Sequence, residues 1–383
     1  MFTRLVKKLE SSAFILGPRG TGKSTWIKAN FKDAVYYDLL DTQQFLRLSR
    51  EPNLLYRETS LLSAGSWVVI DEVQKVPALL DEVHRLIETR HLKLILSGSS
   101  ARKLKKGGAN LLAGRALSRP FFPLVSAEVD FRVGPGLRPL ELGMLPMTFN
   151  AENPRDYLSA YAASYLQEEI KAEALTRNIG GFARFLEIAS RHNGQTTSVA
   201  GIARDAQVAR QTVEGYFEIL SDTLIGSWLP AWKLKRATKQ VKHPKFYFFD
   251  AGVCRALSER MSYPPTEEES GFLLETLILH ELRAYLSYSG LNYPVYYWSS
   301  PEGVEADFLI EDSKGFVALE VKSSAYWRNS YERGLARLGE ELKPARLRAW
   351  GLYGGLSRQK GVFAEVLPWG DFLRLLWGGE VLS

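Results

Sequence analysis

Gly17-Pro18-Arg19-Gly20-Thr21-Gly22-Lys23-Ser24 decides how this 383-residue chain begins to fold. The stretch satisfies G-x-x-x-x-G-K-[ST] without a mismatch, the pattern of a loop that wraps phosphate groups. Ala13-Phe14-Ile15-Leu16 precedes it, short and apolar as a buried strand should be, and Thr25-Trp26-Ile27-Lys28 follows as the opening of a helix. That order supplies the context the motif needs. Glycines let backbone N–H groups turn inward, and the phosphates rest against a helix N-terminus. Gly17, Pro18, Arg19, Gly20, Thr21, Gly22 and Thr25 are therefore expected to line a nucleotide, with ATP as the cofactor. Lys23 is expected at the β- and γ-phosphates, and the Ser24 hydroxyl on Mg²⁺.

Downstream, Gly65-Ser66-Trp67-Val68-Val69-Ile70-Asp71-Glu72 reads as a buried strand that ends in two carboxylates, the Walker B pattern. Asp71 is expected to hold Mg²⁺ and Glu72 to polarise the water that attacks the γ-phosphate. An amphipathic helix is expected over Pro77 to Thr89, with Leu79, Leu80, Val83 and Leu86 on one side. Leu92 to Ser100 then reads as a second central strand with a polar end, where the hydroxyl of Ser97 or of Ser99 is placed to sense the γ-phosphate. A basic run, Arg102 to Gly108, and Asn110-Leu111-Leu112-Ala113-Gly114-Arg115 follow.

Composition narrows the class. Hydrophobic residues make up 45% of the chain, ordinary for globular domains, and the length suggests two or three of them. The one cysteine, Cys254, rules out a disulfide framework and a cysteine zinc cluster. Without an apolar signal segment or a run of about twenty apolar residues, a cytoplasmic chain with no membrane partner is expected. The net charge of +6 is uneven. From residue 261 onward 12 Lys and Arg face 17 Asp and Glu, and the preceding 37 basic and 26 acidic residues leave a body of net +11. A basic body suits a polyanion such as DNA.

In the middle, Pro154 to Arg191 is patterned as helix, with Tyr157, Tyr161, Tyr165, Leu166 and Ile170 on one face. Ser198 to Val208 and Ala209 to Leu220 read as a helix-turn-helix closed by Ala200, Ile202, Ala203, Val213, Phe217 and Leu220. Strands around Trp228 to Leu234 and Phe246 to Phe249 are expected to form a wing. Its tip, Lys233 to His243, is basic enough to meet phosphates, with Arg210 and Gln211 at a groove.

The C-terminal third starts with Pro264-Pro265 and Glu267-Glu268-Glu269, read as a linker. A helix from Gly271 to Ser287 carries Glu275 and Glu281. A strand over Tyr293 to Ser299 comes next, then the hairpin Val304 to Ile310 and Phe316 to Lys322. Glu320 and Lys322 lie two apart on a strand and so share a face, and Asp307 on the partner strand is within reach of it. Two carboxylates can hold Mg²⁺, which neutralises a scissile phosphate and lowers the pKa of a water. A further strand over Arg346 to Tyr353 and a helix over Gly370 to Trp377 complete the chain.

Several of these motifs occur in one order: the phosphate loop, Val69-Ile70-Asp71-Glu72-Val73-Gln74-Lys75-Val76-Pro77, Leu96-Ser97-Gly98-Ser99-Ser100, Leu112-Ala113-Gly114-Arg115 and Arg119-Pro120-Phe121-Phe122-Pro123-Leu124. Tyr165 to Ile170, Lys245 to Gly252 and Glu320-Val321-Lys322-Ser323-Ser324 continue the series. The chain resembles a family of prokaryotic AAA-type ATPases, of the AAA+ superfamily, whose C-terminal half was long listed as a domain of unknown function. The resemblance implies that Ser97 or Ser99 is a γ-phosphate sensor. It also implies that Arg115 is an arginine finger reaching a neighbouring subunit's nucleotide, hence a homo-oligomeric ring with a hexamer as the expected size. The C-terminal hairpin resembles the PD-(D/E)xK nuclease superfamily, which implies Asp307, Glu320 and Glu275 as ligands of Mg²⁺ or Mn²⁺ and Lys322 as the residue that positions the water. Archaeal Holliday-junction resolvases share that fold, so branched DNA is the expected substrate.

The expected architecture is α/β throughout: an AAA+ ATPase domain over 1–150, a helical and winged-helix domain over 151–262 and a restriction-endonuclease-like domain over 263–383. The expected function is an ATP-dependent, Mg²⁺-dependent DNA endonuclease. The alternative is a DNA-binding regulator or nucleotide switch whose nuclease fold is inactive.

Overall fold

The phosphate-loop strand lies inside a five-stranded parallel sheet. The structure is a computed structural model that describes residues 2–100, 112, 114–133, 138–165, 178–233 and 243–382. The basic run Arg102 to Gly108, residues 166–170 of the expected Tyr165 to Ile170 stretch and the wing tip over 234–242 lie outside the described residues.

The chain divides into two compact units. One spans Arg4–Pro123 with Asp222–Ile225. In chain order it contains β1 (Ala13–Leu16), α1 (Lys23–Asn30), β2 (Val35–Asp38), α2 (Thr42–Arg50), α3 (Leu54–Glu58), β3 (Trp67–Asp71), α4 (Leu79–Arg90), β4 (Lys93–Gly98) and β5 (Leu117–Pro120). The strand order is β2-β3-β4-β1-β5, and every pairing is parallel. Parallel sheets are buried on both faces, so their strands read as unbroken apolar runs. Alternate residues go to opposite faces: Phe14, Val68, Ile70, Leu94 and Leu96 pack with Leu79, Leu80, Val83 and Leu86 of α4. Ala13, Ile15, Val69 and Ile95 pack on the other face with Trp26, Ile27 and Phe31 from α1 and its end.

The other unit joins Met1–Thr3, Leu124–Ser221 and Gly226–Ser383, so most of the second and third expected domains fall in it together. It opens with α5 (Arg138–Leu142), α6 (Pro146–Asn150), α7 (Pro154–Ala160), α8 (Ile179–Arg191), α9 (Val199–Asp205) and α10 (Arg210–Asp222). Helices α9 and α10 stand where the helix-turn-helix was expected; Ile202, Ala203, Val213, Phe217 and Leu220 are buried, whereas Ala200, expected to help close it, is exposed. The strands that follow, β6 (Gly226–Leu229) and β7 (Lys245–Phe248), pair antiparallel.

Next come α11 (Ala251–Leu257), α12 (Glu267–Ser289), β8 (Val295–Ser299), β9 (Glu305–Asp312), β10 (Gly315–Lys322), α13 (Arg333–Leu342), β11 (Leu347–Tyr353), β12 (Gln359–Lys360), β13 (Glu365–Pro368) and α14 (Trp369–Trp377). The six strands order as β12-β13-β11-β10-β9-β8. Strands β9 and β10 form the expected hairpin. The parallel β10–β11 pairing needs a crossover, and α13 supplies it. The sequence reading contained no element there, although Leu335, Leu338 and Leu342 mark one apolar stripe, all buried. Gly334 lets α13 come down on β9, because a Cβ there would stand 1.6 Å from the Glu305 carbonyl oxygen.

One expectation is corrected. Glu267-Glu268-Glu269 is the first turn of the 23-residue α12, not a linker. The Thr266 side chain accepts a hydrogen bond from the Glu269 backbone N–H, and the three carboxylates sit at the positive end of the helix dipole. Leu273, Leu274, Leu277, Ile278 and Leu282 of α12 pack with Phe308, Ile310, Leu319 and Val321 of the hairpin. That core holds the hairpin's charged end in place.

Candidate functional site

The phosphate loop takes its shape from positions that only glycine readily fills. Gly20 and Gly22 have φ of 74° and 91°, in the left-handed region. A Cβ on Gly17 would stand 2.0 Å from the Phe121 carbonyl oxygen. Lys23 is buried and donates to the carbonyls of Gly17 (2.6 Å) and Pro18 (2.9 Å). The buried Thr21 hydroxyl donates to the Pro18 carbonyl at 2.8 Å. Arg4, which sequence reasoning missed, donates to the Thr21 carbonyl at 2.6 Å and the Phe122 carbonyl at 2.7 Å, and so ties the loop to the end of β5. Arg19 and Ser24 are half-buried and Thr25 is exposed.

Asp71 closes β3 and is buried. Its carboxylate accepts from the Tyr36 hydroxyl on β2 and the Ser97 hydroxyl on β4. Tyr36 also bonds the Ser24 side chain, and burial together with Asp71 raises its pKa. One phenol therefore links the hydroxyl and the carboxylate expected to hold Mg²⁺. Both are hard oxygen donors of the kind that ion takes, so these residues fit it. Tyr36 was not singled out in the sequence, where it reads only as an aromatic in Val35-Tyr36-Tyr37.

Glu72 is the next residue, and its backbone turns left-handed at φ 59°. For a residue with a Cβ this costs roughly 1–2 kcal/mol, and the turn separates its side chain from that of Asp71. The Gln74 amide donates to the Glu72 carboxylate, and the Ser99 hydroxyl lies 3.3 Å from the same oxygen. Gln74 also donates to Ser99 at 3.2 Å. The two serines that the sequence offered for one role thus divide, Ser97 to Asp71 and Ser99 to Glu72. Gln74 was missed; its signal is the spacing Glu72-x-Gln74.

Arg115 pairs with Glu88 on the surface, the side chains 38% and 48% exposed, and lowers the pKa of that carboxyl.

A second cluster gathers in the other unit. One step past Leu319 and Phe308, the last residues that pair on β10 and β9, lie Glu320 and Asp307, both buried. Asp307 accepts from the Val321 N–H at 2.7 Å. The Lys322 ammonium bridges the two carboxylates, touching Glu320 and lying 3.7 Å from Asp307. The three residues singled out on the hairpin are therefore together. Glu275, buried on α12, accepts from the Tyr247 hydroxyl at 2.6 Å. Burial, then the Asp307 charge, pushes its carboxyl up to about 7, and the same two causes raise Glu320 well above its ordinary range. Glu281 is elsewhere, accepting from the Ser126 N–H (2.7 Å), the Ser126 hydroxyl (3.1 Å) and the Trp377 indole (2.6 Å).

Sequence reasoning missed Lys245 and Tyr247 of β7. Their period-2 spacing puts them on one face, and that face meets the cluster: Lys245 lies 3.0 Å from Glu305. For a hard divalent cation, Asp307 and Glu320 supply suitable oxygens, and Glu320 Oε2 is buried with no hydrogen-bond partner. Among the described residues, no group of three or more His, Cys, Asp or Glu is gathered closely enough to hold a metal ion. Glu275 does not join the other two in such a group.

With this geometry in view, residues 10–129 match an AAA domain family. They form an AAA-type P-loop ATPase domain. Residues 140–263 match one domain of unknown function (DUF8612) and residues 270–372 another (DUF4143). Two mycobacterial proteins, the uncharacterized protein Rv2008c of Mycobacterium tuberculosis and the uncharacterized protein Mb2031c of Mycobacterium bovis, are each 25% identical over 356 residues, covering 90% of this chain and 77% of theirs. The Orc1 protein of Aeropyrum pernix, solved in complex with DNA, overlays 66% of this chain and 87% of its own at 15% identity and a TM-score of 0.27. The Bacillus subtilis DNA clamp loader delta protein overlays 70% and 96% at 13% identity and a TM-score of 0.23. No helix among the described residues is long and apolar enough to cross a membrane.

Proposed function

We propose that the chain hydrolyses ATP and acts on DNA, with Asp71 and Glu72 as the working carboxylates of the ATPase. The observation that carries this reading is the division of labour at the end of β3: Asp71 linked through Tyr36 to Ser24, and Glu72 turned away into the grip of Gln74 and Ser99. Ser24 and Asp71 would hold Mg²⁺, which would offset the charge of the phosphates. Lys23 leaves the Gly17 and Pro18 carbonyls for the β- and γ-phosphates, and the inward N–H groups of the loop share the charge. Glu72 orients the attacking water and takes its proton as the γ-phosphate departs from ADP. Arg115 exchanges Glu88 for the γ-phosphate of the next subunit in a homo-oligomeric ring, a hexamer in this reading. The test is ATP turnover: Lys23→Ala should abolish it, and normal turnover in that variant would overturn the assignment.

A second reading adds metal-dependent DNA cleavage at Asp307, Glu320 and Lys322, with Glu275 beside them as a buried carboxyl rather than a ligand. Its support is the convergence of these charges in a buried place, which costs several kcal/mol per ion unless they are partnered or used. The helix-turn-helix of α9 and α10, with exposed Arg210 and Gln211, and the net +11 body favour DNA as the partner, branched DNA first. The rival is a DNA-binding switch with an inactive nuclease fold. Incubation with Mg²⁺ or Mn²⁺, with and without ATP, on linear, nicked, forked and four-way DNA separates them. Cleavage that disappears in Asp307→Ala favours the nuclease, and no cleavage of any form favours the switch.

A further inference from the structure

Tyr36 of β2 stands where both expected Mg²⁺ ligands can be aimed at once. Its strand partner on β3 is Val69, two residues before Asp71 and on the same face. Helix α1 covers that face, and Tyr36 packs there against the core that holds Ile15, Trp26, Ile27 and Val69. The ammonium of Lys28, one helical turn past Ser24 on α1, lies 4.8 Å from the centre of the Tyr36 ring. The Tyr36 hydroxyl meets Asp71 and Ser24. A carboxylate only accepts, so the phenol proton goes to Asp71, and the Ser24 proton must then go to the phenol oxygen. The Ser97 hydroxyl donates to the other Asp71 oxygen. Each bond uses one proton and leaves lone pairs on Ser24 Oγ and on both carboxylate oxygens.

We propose that Tyr36 is a positioning residue of the ATPase site: bonded to Ser24 and Asp71 together, it fixes how both present oxygen to the Mg²⁺ of a bound nucleotide and so sets the affinity for that ion. The inference rests on the ATP-hydrolysing reading above. Its physical basis is orientation. A serine hydroxyl rotates about its Cβ–Oγ bond, and a proton pointed at the ion would turn the lone pairs away. With the proton held by the phenol oxygen, the lone pairs are left for the cation. The carboxylate is pinned through both oxygens, by Tyr36 and by Ser97. Removing a hydrogen-bond partner of a metal ligand usually costs roughly 10–100-fold in metal affinity. Metal-free nucleotide binding rests instead on Lys23 and the N–H groups of the loop.

The experiment measures binding of the fluorescent, non-hydrolysable analogue mant-AMPPNP to the full-length chain, first in EDTA and then against rising MgCl₂. Tyr36→Phe removes one oxygen and keeps the ring. It should raise the half-saturating Mg²⁺ concentration roughly 10–100-fold and leave the affinity in EDTA at the wild-type value. Ser24→Ala should raise that concentration too. Adding Tyr36→Phe to Ser24→Ala should then cost less than it does in the wild-type chain, because the two residues share a contact. Circular dichroism checks folding, and Tyr36→Leu, also without a hydroxyl, replaces Tyr36→Phe if the latter is unfolded. Three results overturn the inference while the ATPase reading stands: an unchanged or lowered half-saturating concentration in the folded variant, an equal loss of affinity in EDTA, or fully additive losses in the double variant. A wild-type chain that does not bind the analogue, or binds it without response to Mg²⁺, overturns the ATPase reading and this inference with it.

Discussion

At the residue scale, Asp71 and Glu72 are neighbours with the same functional group and different surroundings. The left-handed backbone at Glu72 sends one carboxylate towards Tyr36 and Ser97 and the other towards Gln74 and Ser99. Glu72→Gln keeps the shape and removes the base. It should bind ATP and slow hydrolysis by roughly 10²–10⁴-fold, the usual share of a positioned base; ATP affinity and single-turnover hydrolysis check it. Gln74→Ala removes a residue that aims Glu72 and contacts no phosphate in this reading. Its kcat should fall less than that of Glu72→Gln, with KM near the wild-type value. A large rise in KM would instead make Gln74 a nucleotide-binding residue. The Asp71-Glu72 pair was legible in the sequence because an apolar run ends on it. Tyr36 and Gln74 were not, because a lone tyrosine and a lone glutamine carry no period.

At the element scale, α12 links the order of its sequence to the cluster it supports. Its N-terminus is capped by Thr266, and Glu269 in its first turn accepts from the Arg255 and Arg260 side chains at 2.8 and 3.1 Å. Thr266→Ala should destabilise the chain by about 1 kcal/mol, the usual worth of an N-cap side chain, measurable as a lower urea midpoint with an unchanged slope. A neutral result would mean that the first turn is held by the Glu269 ion pairs alone. The hairpin of β9 and β10 was readable because Glu320 and Lys322 obey the two-residue period and the turn at Asp312 to Gly315 has turn chemistry. The leucine stripe of α13 is written in the sequence, and three glutamates after two prolines read as a linker there but open α12 in the fold. Composition alone does not separate a solvated connector from the acidic first turn of a helix.

At the scale of the whole molecule, two buried carboxyls outside the cluster tie stability to pH. Burial pushes Glu281 from 4.5 to about 7 and Asp250 from 3.8 to about 6, although each accepts hydrogen bonds from backbone N–H groups. Between these values the folded chain binds more protons than the unfolded chain, so stability declines as pH rises. The contribution is fully present below about pH 4 and is lost as pH passes through about 6 to 7. Glu281→Gln should flatten this part of the melting-temperature profile; an unaltered slope would assign the dependence to other groups. Assembly is testable at the same scale. If Arg115 acts on a neighbour's nucleotide, mixing Arg115→Ala with Glu72→Gln protein should restore part of the ATPase activity that each lacks. Full activity in Arg115→Ala alone would leave Arg115 as the surface partner of Glu88 that its exposure allows.

Elements whose chemistry is local are legible along the chain. A phosphate loop needs its glycines and lysine at set intervals, parallel strands buried on both faces need unbroken apolar runs, and a hairpin declares its faces by alternation. These interactions act between residues a few positions apart, so their spacing is written along the chain. Tertiary structure alone decided which charges share a burial site. Tyr36 meets Asp71 35 residues away, and Tyr247 meets Glu275 28 residues away. Lys245 meets Glu305 across a still longer stretch of chain. Each contact depends on how a sheet is ordered or how β7 is anchored against β8. The free energy that sets those arrangements is spread over the apolar cores beneath them and leaves no mark on the spacing of the residues they bring together.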